Sequence, residues 1–493
     1  MEHWRGRGRR SVPMVRYGVS ALALILAGGA PAFAASGDAA TLEQLDKQIK
    51  ILQQQVQDLK ASQASKYAEQ KSLPKLTLDN GRPTFKTADG KYSASLRALV
   101  QFDGGYYMQD DAPASGTGAD LSSGTNFRRA RIGITGTIAK VFDYNFIYDF
   151  GGSGSEKSAI SSAYLQYNGL KPFKIRVGAF SPSASLEDSE GATDPLFMEK
   201  ASAVEIARGI AGADGRSAIA LMAAGERYYG SIAYTGARVG QTGFFDEQQG
   251  LVGRLAGLAF DDGDGKLLVG GNGSYVFDTA DASAGPGASS TGVNFQNVPE
   301  LRVDDTSSSN ASASLVSTGN INADSVTQWG LDGAAQWKSL YVEGGYFKFE
   351  ADRRGSGLAG SNPNFDGWYA EASWVLTGEK RSYDTKSAVF RAPKVESPFT
   401  GQKGTGWGAL ELAVRYSTID LNYHEDMSTA NGGIRGGEQD IWTIGVNWYA
   451  NNAIRLSANY LFIDIDRLSG ASAPFTDVGQ DIQAVGFRTQ VAF

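Results

Sequence analysis

Nine basic residues stand on the polar faces of segments that alternate apolar and polar side chains: Arg97, Arg129, Arg131, Lys174, Arg176, Arg227, Arg415, Arg455 and Arg488. Arginine's planar fork matches two oxygens of a phosphate at once, whereas lysine acts as a point charge. Cationic side chains along a water-filled passage attract anions and let them move on. The same faces also carry Asp103, Asp149, Asp332, Glu343, Glu371 and Glu411. A passage with mixed charge, as in any general diffusion channel, is therefore the competing reading.

Bond-making chemistry has little to work with. The chain has no cysteine and only two histidines, His3 and His424. Thiolate chemistry and metal sites built on His or Cys are thereby excluded. His424 sits in the polar stretch Asn422–Met427, a loop by composition. The run "DDGDG" at Asp261–Gly265 lacks the length and closing carboxylate of a calcium loop and falls where a short turn is expected. "GTGWG" at Gly404–Gly408 opens a strand with no helix after it, so it is not a nucleotide loop. A formal net charge of −7 argues against nucleic acid as a partner. No cofactor is implied.

The elements that must position these residues are strands. Tyr92, Ala94, Leu96, Ala98, Val100 and Phe102 share one face of the first, and Ser93, Ser95, Arg97, Gln101 and Asp103 share the other. Period two returns in Ala130/Ile132/Ile134, Tyr144/Phe146/Tyr148, Phe173/Ile175/Val177, Trp329/Leu331, Trp368/Ala370/Trp374, Leu410/Leu412/Val414/Tyr416 and Ile454/Leu456/Ala458/Tyr460. Mean hydropathy is only −0.26 although Phe, Tyr and Trp are abundant, as when half of each strand faces lipid and half faces water. Long polar connections (Gln109–Thr125 and about Asp278–Asp324) alternate with short ones (near Lys140–Asp143 and Tyr449–Ala453). This pattern predicts an all-β fold: a 16-stranded antiparallel transmembrane β-barrel over 91–493, with an open aqueous lumen. The last strand, with Val485, Phe487, Val491 and Phe493 on one face, ends the barrel on an aromatic residue.

The N-terminal region sets the compartment. Arg5, Arg7, Arg9, Arg10 and Arg16 precede the apolar run Val19–Ala27 and Ala32-Phe33-Ala34, so 1–34 reads as a cleaved signal peptide. Leu42, Leu45, Ile49, Leu52, Val56 and Leu59 repeat with heptad spacing. They predict a short periplasmic coiled-coil helix over 40–63 that joins copies of the chain, or else folds onto its own barrel. A polar linker over 64–90 would follow. A tether to the cell envelope is a further reading of that helix.

Ser373–Leu421, with "SWVLTGEKRSYD" and "VFRAPKVESPFTGQKGTGWGALELAVRYSTIDL", resembles the phosphate-selective porin O/P family. So do "NFRRARIGITG" (Asn126–Gly136), "AYLQYNGLKPFKIRVGAFSPSASLED" (Ala163–Asp188) and "DPLFMEKASA" (Asp194–Ala203). The resemblance implies a homotrimeric outer-membrane porin passing small anions such as phosphate or polyphosphate, with no catalysis. Its third loop, here about Ser181–Ile206, would fold inward as the constriction. It also implies an anion ladder at Arg97, Arg129, Arg131, Lys174 and Arg176, with Lys200 in the constriction, where the family pattern often carries Arg. The same loop holds Glu187, Asp188, Glu190, Asp194 and Glu199. These would oppose anion passage unless they point away from the pore.

Overall fold

A computed structural model describes residues 38–493, apart from positions 80 and 405 and segments 110–120, 153–158, 242–244, 283–290, 304–313 and 355–361. The expected signal peptide lies outside the described residues. The N-terminal unit is a single helix, α1 (Asp38–Ser72), longer than the expected 40–63. Its six heptad residues are 47–67% exposed. The expected linker over 64–90 holds the last turns of α1 and then a hairpin, Lys75–Asp79 with Arg82–Lys86. Leu76 and Leu78 alternate with polar residues there, and Gly81 takes the positive φ of a tight hairpin turn. The hairpin's second strand pairs onto the first barrel strand from Thr84↔Ser95 to Lys86↔Ser93.

Sixteen strands form the barrel: β1 (Ser93–Gln109), β2 (Gly124–Ile138), β3 (Phe142–Asp149), β4 (Ala159–Tyr167), β5 (Phe173–Phe180), β6 (Arg216–Ala224), β7 (Tyr228–Arg238), β8 (Gln249–Asp261), β9 (Gly265–Asp278), β10 (Ala323–Trp337), β11 (Leu340–Arg353), β12 (Asn364–Val375), β13 (Ala409–Tyr423), β14 (Ile434–Asn451), β15 (Ile454–Asp466) and β16 (Gln480–Ala492). Consecutive strands pair antiparallel, and β16 closes on β1 from Ile482↔Gln109 to Ala492↔Leu99. Closure leaves the wall no free edge, which a bilayer demands because lipid satisfies no backbone group. Among the described residues, no helix is long and apolar enough to cross a membrane.

Alternation works as expected along most of the wall. Leu96, Val100, Phe102, Ile132, Ile134 and Phe146 point outward and are exposed. Trp329, Tyr346, Trp368, Tyr416, Trp442 and Phe462 form an aromatic row across β10–β15, with Trp368–Tyr416 centroids 5.1 Å apart and Tyr416–Trp442 centroids 4.9 Å apart. Such a belt marks the bilayer interface. On the loop side of this row the polarity of the wall inverts without a change of phase. Outward positions become Asp366, Asp420, Glu438, Asp440, Asp464, Asp466 and Asp481, directly opposed across strands. Inward positions become Phe347, Phe349, Phe365, Ile419, Leu421, Ile441, Leu461, Ile463, Ile465 and Ile482, all buried. Opposed carboxylates are tolerable only in water. These strands therefore continue past the membrane as a soluble barrel with an apolar interior.

That interior fills one side of the expected lumen. The β5–β6 connection, 181–215, folds inward and carries α2 (Leu186–Ser189) and α3 (Ser202–Ala211). Val204, Ala207 and Ile210 of α3 join the inward apolar residues of the wall in one core, with α3 against β8–β13. Part of the long β9–β10 connection also turns in: Phe295, Leu301, Val303, Leu315 and Val316 are buried in the same core. The β12–β13 connection, 376–408, breaks the expected rule of short turns on its side. It is long because it too enters the barrel, as a small hairpin (Ser382–Asp384 with Val389–Arg391) whose Ala388, Val389 and Phe390 are fully buried against Leu186 and Leu196.

The polarity inversion is testable by substitution. Ile441→Asp buries a carboxylate in an apolar core and should lower stability to urea by roughly 3 kcal/mol or more. Its neighbour Asp440→Asn, facing water, should change stability by less than about 0.5 kcal/mol.

Candidate functional site

With α3 and the β9–β10 connection filling one side of the barrel, the polar space lies along β1–β5, β15 and β16. A bulge in β2 opposite Gln101/Phe102 shapes it. Strict alternation would turn Arg128 to lipid. The extra residue brings both Arg128 and Arg129 inward, leaving Phe127 exposed outside.

Four acidic residues of the folded-in loop, Glu187, Asp188, Asp194 and Glu199, each lie beside an arginine. Glu199 receives Arg128 Nε at 2.8 Å and Nη2 at 3.0 Å, and Arg488 Nη2 at 2.8 Å. Burial alone would raise the Glu199 carboxyl, but Arg128 and Arg488 hold it well below the ordinary range. Arg488 also grips Asp103 of β1 through Nε and Nη2 at 2.7 and 2.6 Å. Asp188 takes Arg208 Nε at 2.6 Å, and Asp194 takes Arg391 Nη1 at 3.1 Å. Glu187 lies 3.5 Å from Arg415, which also binds the Glu199 carbonyl at 3.0 Å and the Glu300 carboxylate. Glu300, from the β9–β10 connection, in turn accepts from the backbone N–H of Ser202 at the start of α3. Arg455 donates to the carbonyls of Pro195 and Leu196 at 2.8 and 2.9 Å. Arg415, Arg455 and Arg488 thus hold the loop against the wall.

What remains facing the space is mostly positive. A cavity of about 620 Å³ toward the loop side is lined by Arg128, Arg129, Arg131, Lys200, Arg208 and Arg238. Its three carboxylates, Asp149, Asp188 and Asp214, are all committed to Arg131 or Arg208. Below it lies a space of about 20 Å³, room for a water-sized sphere, sharing Arg129, Lys200, Gly191 and Ala192 with the larger cavity. Arg455, Arg488, Gln101, Ser457 and Gln490 also line that narrow space, with Pro195, Phe197 and Met198, and no carboxylate does. Arg129 donates from Nη1 to Gln101 at 2.7 Å, while its buried Nε has no partner among the described residues. Gln101 is itself fixed by the Ala192 carbonyl and by Gln490. Lys200 donates only to the Glu187 carbonyl, at 2.8 Å, and has no carboxylate within ion-pair distance among the described residues.

Of the six residues singled out from sequence, Arg129, Arg131 and Lys200 line these cavities and Arg97, Lys174 and Arg176 do not. Arg129 and Lys200 meet at the narrow point. Arg131 lines the larger cavity, clamped at 2.6 Å to each of Asp149 and Asp214. Arg97 stands four residues before Gln101 on the same face of β1, roughly 13 Å toward the turn side. Lys174 and Arg176 are on β5, away from both cavities. Arg176 stacks on Tyr164 at 4.2 Å and donates to Gln166. Sequence reasoning missed Arg128, Arg208 and Arg238 as lining residues. The three arginines of "FRRAR" were visible, but the bulge that turns Arg128 inward leaves no mark in periodicity.

A family model described as phosphate-selective porin O and P matches residues 100–493. The chain is 27% identical over 430 residues to Porin O of Pseudomonas aeruginosa, across 83% of this chain and 89% of that protein. It is 26% identical over 443 residues to an uncharacterized protein of Caulobacter vibrioides, across 86% of this chain and 79% of that one. Among solved structures, an anion-selective porin from Comamonas acidovorans is similar at a TM-score of 0.45 and 12% identity, covering 82% of this chain and 100% of the other.

Two outcomes follow from this geometry. Arg488→Gln leaves Glu199 and Asp103 short of a counter-charge. It should destabilise the folded-in loop by about 3–5 kcal/mol, seen as raised, noisier single-channel conductance with the barrel still folded on electrophoresis. Burial pushes the Glu187 carboxyl up to about 7, against the pull of Arg415 and Lys200. As pH falls through 7 it becomes neutral, so anion preference in the reversal potential should rise, and Glu187→Gln should flatten that dependence.

Proposed function

Since the chain belongs to the phosphate-selective porin O and P family, we propose that it is an outer-membrane porin whose pore favours small anions and retains phosphate briefly at Arg129 and Lys200. The observation that carries this reading is the narrow space with four cations (Arg129, Lys200, Arg455, Arg488) and no carboxylate lining it. Arg97 extends the positive surface toward the periplasm, while Arg128 and Arg131 in the cavity above are offset by Glu199 and by Asp149 and Asp214. Charge-assisted hydrogen bonds are strong enough to replace an anion's hydration, yet several weak sites in series let the ion leave. The phosphate itself would sit in the larger cavity, against the Arg129 guanidinium and the Lys200 ammonium, which line both spaces.

We also read 1–34 as the export signal, and α1 as a helix that joins three copies through its exposed heptad face. The short strands β3–β6, of eight or nine residues, support a trimer. They are marginal for spanning a bilayer alone, and neighbouring barrels would cover that side of the wall.

Single-channel recording in planar bilayers, with phosphate titrated into chloride, tests the reading. The full chain should insert in three equal steps, and phosphate should block chloride current. Arg129→Gln with Lys200→Gln should weaken the block at least about tenfold. Arg131→Gln should matter less, because that residue is already neutralised. Block that survives the double variant unchanged would remove the proposed site.

A further inference from the structure

A second cluster of arginines lies at the loop-side end of the barrel, away from the pore. A cavity of about 670 Å³ is bounded by the ends of β11, β14 and β15 and by the connections that follow β9, β13 and β15. Arg353, Arg354, Arg435 and Arg467 line it, with Ser317, Thr318, Asn320, Asn322 and Ser469 among its polar residues, and no carboxylate does. None of its lining residues lines either pore cavity. Between it and the pore stands the apolar core, to which Leu315, Val316, Ile321 and Ile434 belong.

The four arginines are not equivalent. Arg354 is held by Asp281 at 3.0 Å and Asp324 at 2.6 Å. Arg435 is spent on structure: it donates to the carbonyls of Glu425, Met427 and Gly470 and to Thr429, and stacks on Phe475 at 4.1 Å. Arg353 and Arg467 are different. Among the described residues the Arg353 guanidinium makes one hydrogen bond, from Nη2 to the Gly432 carbonyl at 2.7 Å, and lies 5.9 Å from the Tyr423 ring. The Arg467 guanidinium makes one, from Nη1 to the Leu315 carbonyl at 2.9 Å. Neither has a carboxylate within ion-pair distance among the described residues, and both are half-buried. Burial pushes the Arg467 guanidinium down, as befits a cation with no counter-charge. Holding two such cations in one pocket is costly unless an anion completes it.

We propose that this pocket is a second anion site, separate from the permeation path, in which Arg353 and Arg467 bind a phosphoryl group. A guanidinium with unused N–H groups suits phosphate oxygens. The cavity has room for a phosphate still attached to a sugar or glycerol. The group can therefore come from a free phosphate in the medium or from a phosphorylated lipid headgroup of the surrounding leaflet.

Equilibrium dialysis of the full-length protein in detergent against radiolabelled inorganic phosphate tests the site. The wild type should show two classes of site. Arg353→Gln with Arg467→Gln should weaken one class about tenfold or more while phosphate block of the pore is unchanged. Arg129→Gln with Lys200→Gln should remove the other class, so failure of the pore reading is distinguishable. Arg467→Lys should restore part of the binding if charge is what matters, and heat-shifted mobility on gels reports that each variant is folded. Repeating the dialysis in phosphatidylcholine vesicles with and without phosphatidic acid separates the sources. Loss of the Arg353/Arg467 class only with phosphatidic acid identifies a lipid phosphate as occupant, and its persistence identifies the free anion. Identical isotherms for the wild type and the Arg353/Arg467 double variant would overturn the proposal.

Discussion

Carboxylates on an inserted loop meeting arginines on the barrel wall are the interaction on which the rest depends. Glu187, Asp188, Asp194 and Glu199 would repel anions if they faced the lumen. Each instead lies beside Arg415, Arg208, Arg391, or Arg128 with Arg488. In a confined space of low dielectric these pairs are strong, and the backbone carbonyls bound by Arg455 and Arg415 add direction. The charges of these four carboxylates are offset by the arginines that attach the loop. Arg129 and Lys200, which make no ion pair among the described residues, remain over the narrow space beside Arg455 and Arg488, which the loop engages.

The inversion of polarity in β11–β16 decides where that constriction lies. Past the aromatic row these strands turn apolar residues inward, so α3 and the β9–β10 connection have a hydrophobic surface to cover. Packing there excludes water from one side of the barrel. The polar residues of β1–β5, β15 and β16 keep the other side wet. From the turn side, the hairpin of the β12–β13 connection enters beneath, with Arg391 reaching Asp194 and the Glu190 carbonyl. Two inserted segments from opposite ends thereby brace each other, with Asp194 as their shared anchor.

Much of this was legible in sequence. Period-two alternation, the aromatic positions and the alternation of long and short connections were enough for a sixteen-stranded barrel, because a lipid-facing surface leaves strands little choice. Arg129 and Lys200 were legible as candidates, the first from strand phase and the second from resemblance alone. Arg128 was not, since a one-residue bulge shifts phase invisibly. Neither was the filled side of the lumen. "IDL", "QDIW" and "FIDID" alternate as correctly as any lipid-facing strand, and only their partners show which side is wet. The linker over 64–90 misled because Leu76 and Leu78 form too short a pattern to separate from coil.

Crystals of the full chain soaked in bromide, and others soaked in rubidium, would test the account by anomalous scattering. Bromide is expected between Arg129 and Lys200, with no rubidium beside Glu199 or Asp188. Rubidium at those carboxylates, with no bromide at the narrow point, would mean that the loop's charge is not neutralised and that the pore does not favour anions.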